Sequence, residues 1–205
     1  MIDPLILLAF IPAALALNFT PGADMMFCLG QGLRSGPRAA LAASAGISAG
    51  ALVHVTIAGL GLGAAINAMP WLFDVIRWVG VGYLLYLATG AIRGATAKAP
   101  APVAPRRAFR SGFIVNLTNP KVILFVLAFI PQFVDPARPV LAQFLIFGVV
   151  LAVGGFFING AVGVFAGGAG KRLAGSGRAQ AWLGRISGAI FAGLALRLAF
   201  LERAG

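Results

Sequence analysis

The stretch Asn18-Phe19-Thr20-Pro21-Gly22-Ala23-Asp24 interrupts an apolar run from Pro4 to Leu33, and Asn116-Leu117-Thr118-Asn119-Pro120-Lys121 interrupts another from Phe109 to Phe133. Proline has no backbone N–H and its ring clashes with the preceding turn, so a helix through either run is expected to open there. The surroundings set the consequence. Of 205 residues 60% are hydrophobic and 10% charged, against roughly 25% charged in a soluble domain. Mean hydropathy is +0.96. Such a chain belongs in lipid, where a carbonyl without a partner costs several kcal/mol unless protein or water satisfies it.

Further apolar segments run over Ala39 to Ile66, Trp71 to Ile92, Val140 to Phe165 and Trp182 to Leu201. A spanning helix takes about 20 residues, so six spans use nearly the whole length. The expected fold is an all-α polytopic membrane protein. A single transmembrane domain over 1–205 is expected, with repeat one at 1–92, a linker at 93–108 and repeat two at 109–205. The linker carries Ala-Pro steps (Ala99 to Pro105) that cannot propagate a helix. Each broken stretch lies in the first helix of its half. Halves with an odd number of spans, joined in series, point in opposite directions, so the plan is two inverted three-helix repeats with broken lead helices. The opening Met1-Ile2-Asp3 lacks the basic start of a secretory signal, so the first apolar run is expected to be retained.

Charge placement supports this count. The first, third and fifth connections hold Arg34 and Arg38; Arg93, Lys98, Arg106, Arg107 and Arg110; and Lys171, Arg172, Arg178 and Arg185, with no acid among them. Elsewhere Asp3, Asp24, Asp74, Asp135 and Glu202 balance Arg77, Lys121, Arg138, Arg197 and Arg203, so these loops account for the whole net charge of +11. The positive-inside rule puts the basic loops in the cytoplasm and both termini outside a cytoplasmic (inner) membrane. Charge confined to loops between apolar segments reads as topology, not as a nucleic-acid surface. Glycines spaced four apart (Gly46 and Gly50, Gly163 and Gly167, Gly184 and Gly188) read as close helix packing, and some such faces could hold a homodimer.

The lone Cys28 excludes an internal disulfide and reads as a packing residue, while the lone His54 cannot build a multi-ligand zinc site. No cofactor motif is present, and the absence of a Gly-x-x-x-x-Gly-Lys-Ser/Thr loop argues against ATP as direct fuel. The candidate substrate site gathers Asn18, Thr20, Pro21, Gly22 and Asp24 from the first break and Asn116, Asn119, Pro120 and Lys121 from the second. The side chains flanking each break either satisfy the freed carbonyls or line a wet cavity with them. Half-helix N-termini after each proline would suit a carboxylate, and an ammonium would go to carbonyls or to Asp24. Asp24 is the candidate for binding an ammonium or a coupling proton, with Lys121 as counter-charge or carboxylate anchor. The alternative is a structural ion pair, or a Lys121 that snorkels to the interface. His54 is a second proton-coupling candidate or else a hydrogen-bonded structural histidine. Ser44, Ser48 and Asn159 read as helix-to-helix hydrogen-bond partners.

These motifs resemble the LysE/RhtB family of amino-acid exporters. The resemblance is carried by Asn18-Phe-Thr-Pro21-Gly22-Ala-Asp24, by Gly32, Gly36 and Gly46-Ile-Ser-Ala-Gly50, by Phe109 through Gly112, Asn116 and Asn119-Pro120-Lys121, and by Phe125 and Pro131-Gln132-Phe133. It implies a membrane exporter of amino acids or related metabolites, of threonine, homoserine, lysine or leucine type, working by proton antiport. One departure is Ala23, where the family often repeats a proline; this should relax the first break. Two other functions fit the architecture less well. An inorganic cation exporter would want several oxygen anions where only Asp24 is expected deep in the membrane. A membrane-embedded enzyme would have to draw on Ser44 or Ser48 with His54.

Overall fold

The computed structural model describes residues 3–68, 107–166 and 177–199, together with helical positions 71, 75, 78, 79, 81, 82, 85, 86, 88 and 89. Most of the expected linker, 93–106, and the glycine-rich stretch 167–176 lie outside the described residues. The first lead helix is α1 (Pro4–Phe19) followed by α2 (Ala23–Ser35). Gly36, at φ +83°, then turns the chain into α3 (Pro37–Ala68), which extends past the apolar run ending at Ile66. The second lead helix is α4 (Ala108–Leu117) followed by α5 (Pro120–Ala128) and a 3-10 turn at Ile130–Phe133. Two long helices complete the described chain, α6 (Val140–Val164) and α7 (Gly177–Ala199). With the helical positions between 71 and 89 this gives six helical segments, all-α and apolar, as a multi-pass membrane protein requires.

Both expected breaks are present, and each bends its lead helix by 54°. The residue before proline is pushed out of the helical region by the ring. Thr20 accordingly sits at φ −68°, ψ 117° and Asn119 at φ −81°, ψ 105°. Proline alone does not open a helix, for Pro12 lies within an intact α1. The two breaks form where polar side chains flank the proline. Thr20 Oγ1 donates to the Ala16 carbonyl at 2.6 Å, and Asn119 Oδ1 accepts from the Lys121 N–H at 3.1 Å.

Contacts along the helices fix their directions. Ser44 Oγ donates to the Phe156 carbonyl and Ser48 Oγ to the Ala152 carbonyl, both at 2.8 Å, so α3 and α6 run antiparallel. Phe10 stacks on Phe129 with ring centroids 6.2 Å apart, Leu17 and Thr20 meet Lys121, and Asp24 meets Asn116. Residue numbers rise on one lead helix as they fall on the other. The lead helices therefore cross in opposite directions, as inverted repeats demand.

Two apolar clusters hold this crossing. One is aromatic: Phe10 from the first half sits among Phe125, Phe129, Phe133 and Phe147, its centroid 4.8 Å from that of Phe147 and 5.4 Å from that of Phe133. Phe125, Phe129 and Phe133 recur every fourth residue, which puts them on one face of the second lead helix. The other cluster packs Phe27, Cys28, Ala39, Ala43, Ile47 and Ala108, so Cys28 is the buried packing residue expected. Large apolar side chains such as Leu5, Leu8, Ile57, Leu60 and Phe157 face outward, where lipid would cover them.

Close helix approach depends on two glycines where α3 crosses α4. A Cβ on Gly46 would strike the Phe109 carbonyl, and one on Gly112 the Ala43 carbonyl. The α3–α4 contact is thus backbone against backbone, the arrangement that small residues permit in lipid. Gly112→Val is expected to destabilise the protein by about 1–3 kcal/mol or prevent folding through overpacking. By contrast, Gly30, with nothing within 4 Å of its Cβ position, should accept alanine without loss. Thermal unfolding of the detergent-purified protein, read by size-exclusion chromatography, checks both.

Candidate functional site

Each proline strands the carbonyl four residues before it, Leu17 for Pro21 and Asn116 for Pro120. Flanking side chains supply few of the missing bonds, contrary to one expectation from sequence. Instead, Lys121 Nζ crosses from the second half and donates to the Leu17 and Thr20 carbonyls, both at 3.0 Å. In return, His54 Nε2 from the first half reaches the Asn116 carbonyl at 3.2 Å, where the Asn119 N–H also donates at 2.9 Å. A carbonyl only accepts, so the imidazole carries its proton on Nε2 in this contact. Placing Pro21 over Pro120 makes Gly22 the counterpart of Lys121. These counterparts meet where the halves cross, and a Cβ on Gly22 would stand 3.2 Å from Lys121 Nζ.

Asp24 lies in the first turn of α2 and is 6% exposed. Its Oδ2 accepts from Asn116 Nδ2 at 2.9 Å, while Oδ1 is buried with no hydrogen-bond partner. Asn116 Oδ1 and Asn119 Nδ2 are likewise buried and unpartnered. Asp24 and Lys121 line one cavity yet make no ion pair with each other, so the structural-pair alternative does not hold. Nor does Lys121 snorkel outward, since its ammonium is held by backbone of the opposite half. The α2 N-terminus also differs from expectation. Asp24 already brings a carboxylate into its first turn, and Asn119 caps α5, so neither positive helix end is left bare.

Two adjoining cavities meet at this crossing. The first is walled by Leu17, Asn18, Thr20, Asp24, Met25, Lys121, Val122 and Asn159, the second by Asn18, Asp24, Ser48, Asn116, Gly155 and Asn159 among others. They offer about 10 and 20 Å³ to the centre of a water molecule. That is room for roughly one water each. An amino acid would need the halves to separate.

The structure thus brings Asn18, Thr20, Asp24, Asn116 and Lys121 to the cavity walls. Gly22 lies beneath Lys121 and His54 stands behind Asn116. Pro21 and Pro120 line neither cavity, Pro120 being exposed, and Asn119 acts as a helix cap. Asn18 is held by α6 through a bond from Nδ2 to the Leu151 carbonyl at 3.1 Å. Ser44 and Ser48 join helices as expected. Asn159, expected only to join helices, lines both cavities. Its signal in sequence is an amide that, with Gln143, interrupts the strongly apolar α6, which alone does not tell a cavity from a helix contact.

His54 supplies a donor to a stranded carbonyl, a task a glutamine amide can also perform. His54→Gln is therefore expected to unfold at the wild-type temperature, whereas His54→Leu should lose about 1 kcal/mol of stability. Thermal unfolding of the detergent-purified protein reads both effects.

Comparison with known proteins agrees with this geometry. The profile of the LysE type translocator family matches residues 15–202, both breaks included. A homoserine/homoserine lactone efflux protein of Salmonella typhimurium is 34% identical over 149 residues, covering 71% of this chain and 72% of its own. A leucine efflux protein of Salmonella choleraesuis is 30% identical over 205 residues, covering 94% of each chain. An uncharacterized membrane protein of Vibrio cholerae is 34% identical over 146 residues, covering 69% of this chain and 71% of its own. No solved structure matches. With its paired breaks, opposed halves and near full-length profile match, this chain belongs to the LysE type translocator family.

Proposed function

We propose that the protein is a secondary transporter that exports amino acids or closely related metabolites across the cytoplasmic membrane by proton antiport. One observation carries this reading. At the crossing of two broken helices a buried carboxylate, Asp24, keeps one oxygen unpartnered beside a cavity that also holds an unpaired-with-it ammonium, Lys121. Ionisable groups are expensive in the membrane interior and usually mark a pathway. A zwitterion fits such a pair of separated charges, its ammonium toward Asp24 and its carboxylate toward Lys121. Entry of the solute then adds no net charge to a low-dielectric site.

Asp24 is also the group through which a proton would couple: protonated, it releases a cationic amine; ionised, it binds one. A proton moving inward supplies about 2.3 kcal/mol per 100 mV. The basic loops face the cytoplasm in this reading, and both termini face outward. The names of the efflux relatives extend it to amino acids of the homoserine or leucine kind. A hydrolytic role finds less support, because both serine hydroxyls near the crossing are committed to carbonyls of α6. An inorganic cation would find a single carboxylate there, with amide and backbone oxygens around it.

Proteoliposomes loaded with labelled homoserine, leucine, threonine or lysine test the proposal. At least one of these solutes should leave faster when protons flow inward. Asp24→Asn should drop that flux to background while the protein still inserts and elutes as a single species. Wild-type flux in Asp24→Asn, or no release of any solute by the wild type, overturns the reading. Pro21→Ala restores a backbone donor to Leu17 and Pro120→Ala one to Asn116. Both are expected to lower flux at least several-fold, and normal flux in both would remove the breaks from the mechanism.

A further inference from the structure

The ammonium that satisfies the first break is chemically the same group an amino acid carries. Lys121 Nζ lies 3.0 Å from the Leu17 carbonyl and 3.0 Å from the Thr20 carbonyl. Leu17 and Thr20 line the cavity together with Asp24 and Lys121, and Gly22 leaves the space that lets the ammonium reach their carbonyls. A primary ammonium has three donors and no acceptor, so two converging carbonyls with a carboxylate close by form a receptor for it. Nothing in that receptor requires the ammonium to be tethered.

We propose that the Leu17 and Thr20 carbonyls, with Asp24, are the α-ammonium subsite of the transport cycle, and that Lys121 is an internal occupant that substrate displaces. The proposal rests on the exporter reading and adds to it the identity of the subsite and the state of the empty carrier. In the solute-free protein Lys121 keeps the stranded carbonyls satisfied and the cavities at the size of single waters. An arriving zwitterion puts its own ammonium on the carbonyls. The displaced Lys121 ammonium then pairs with the solute carboxylate, so the exchange leaves no carbonyl bare and no charge unpaired.

This exchange explains why the solute must carry both groups. An amine without a carboxylate would displace Lys121 but leave it with no partner in a low-dielectric site. A tethered competitor also acts at high effective concentration, which suppresses binding of simple amines.

The test uses the full-length protein in nanodiscs, with n-propylammonium as probe and the solute exported by the wild type as labelled ligand. In Lys121→Ala the subsite is open, and propylammonium should bind roughly tenfold or more tightly than to wild type. It should also compete with the labelled amino acid. A fixed staple gives the opposite sign: propylammonium would fill the gap, restore the fold and raise amino-acid binding, and that result overturns the proposal. So does a Lys121→Ala protein that gains no affinity for propylammonium. Lys121→Met preserves side-chain length and guards against a misfolded alanine variant, with the same gain and the same competition expected. Failure of the exporter reading would look different, since the wild type would then bind and release none of the amino acids.

Discussion

A carbonyl stranded in hydrocarbon must find a donor, and here two of them find it in the opposite half of the molecule. The partners of Leu17 and Asn116 come from residues 104 and 62 positions away along the chain, respectively. Lys121 bonds the first break and His54 the second, so neither broken helix is satisfied by its own repeat alone. In lipid this matters more than in water, because leaving the Leu17 carbonyl bare costs several kcal/mol, while the Asn116 carbonyl accepts from the Asn119 N–H as well as from His54. The two halves are thereby locked to each other at the point where each is weakest.

The same contacts give the crossing its electrostatic character. Asp24 is bonded on one oxygen by Asn116, itself the residue whose backbone His54 meets. Lys121 is turned onto carbonyls and away from direct pairing with Asp24. Opposite charges held apart in a low-dielectric site each keep capacity for a further partner. The aromatic cluster around Phe10 and the serine bonds between α3 and α6 join the same two halves around this point. Movement that opens the cavities would act on these contacts as well as on the few polar bonds at the breaks.

Much of the architecture was legible in the sequence. Apolar run lengths, the eleven basic residues confined to alternate connections and the paired Thr-Pro and Asn-Pro breaks suffice for six helical segments in opposed triplets. These signals are local or periodic: a proline removes its own N–H, and a spanning helix must be apolar over its own length. Cys28 as packing and Ser44 and Ser48 as interhelical donors follow from the same kind of reading.

Which groups satisfy the breaks was decided only by tertiary structure. The sequence placed Pro120 and Asn119 in the site with Asp24, yet one is exposed and the other caps a helix. It left Lys121 open between counter-charge and snorkelling, and read Asn159 as a helix contact only. Hydrogen-bond partners depend on where two helices cross and at what rotation, and that is fixed by glycine notches such as Gly22 and Gly46 fitting against a particular neighbour. The sequence determined that two carbonyls would be stranded in lipid; the crossing of the two halves determined that a lysine and a histidine from the opposite repeat would answer them.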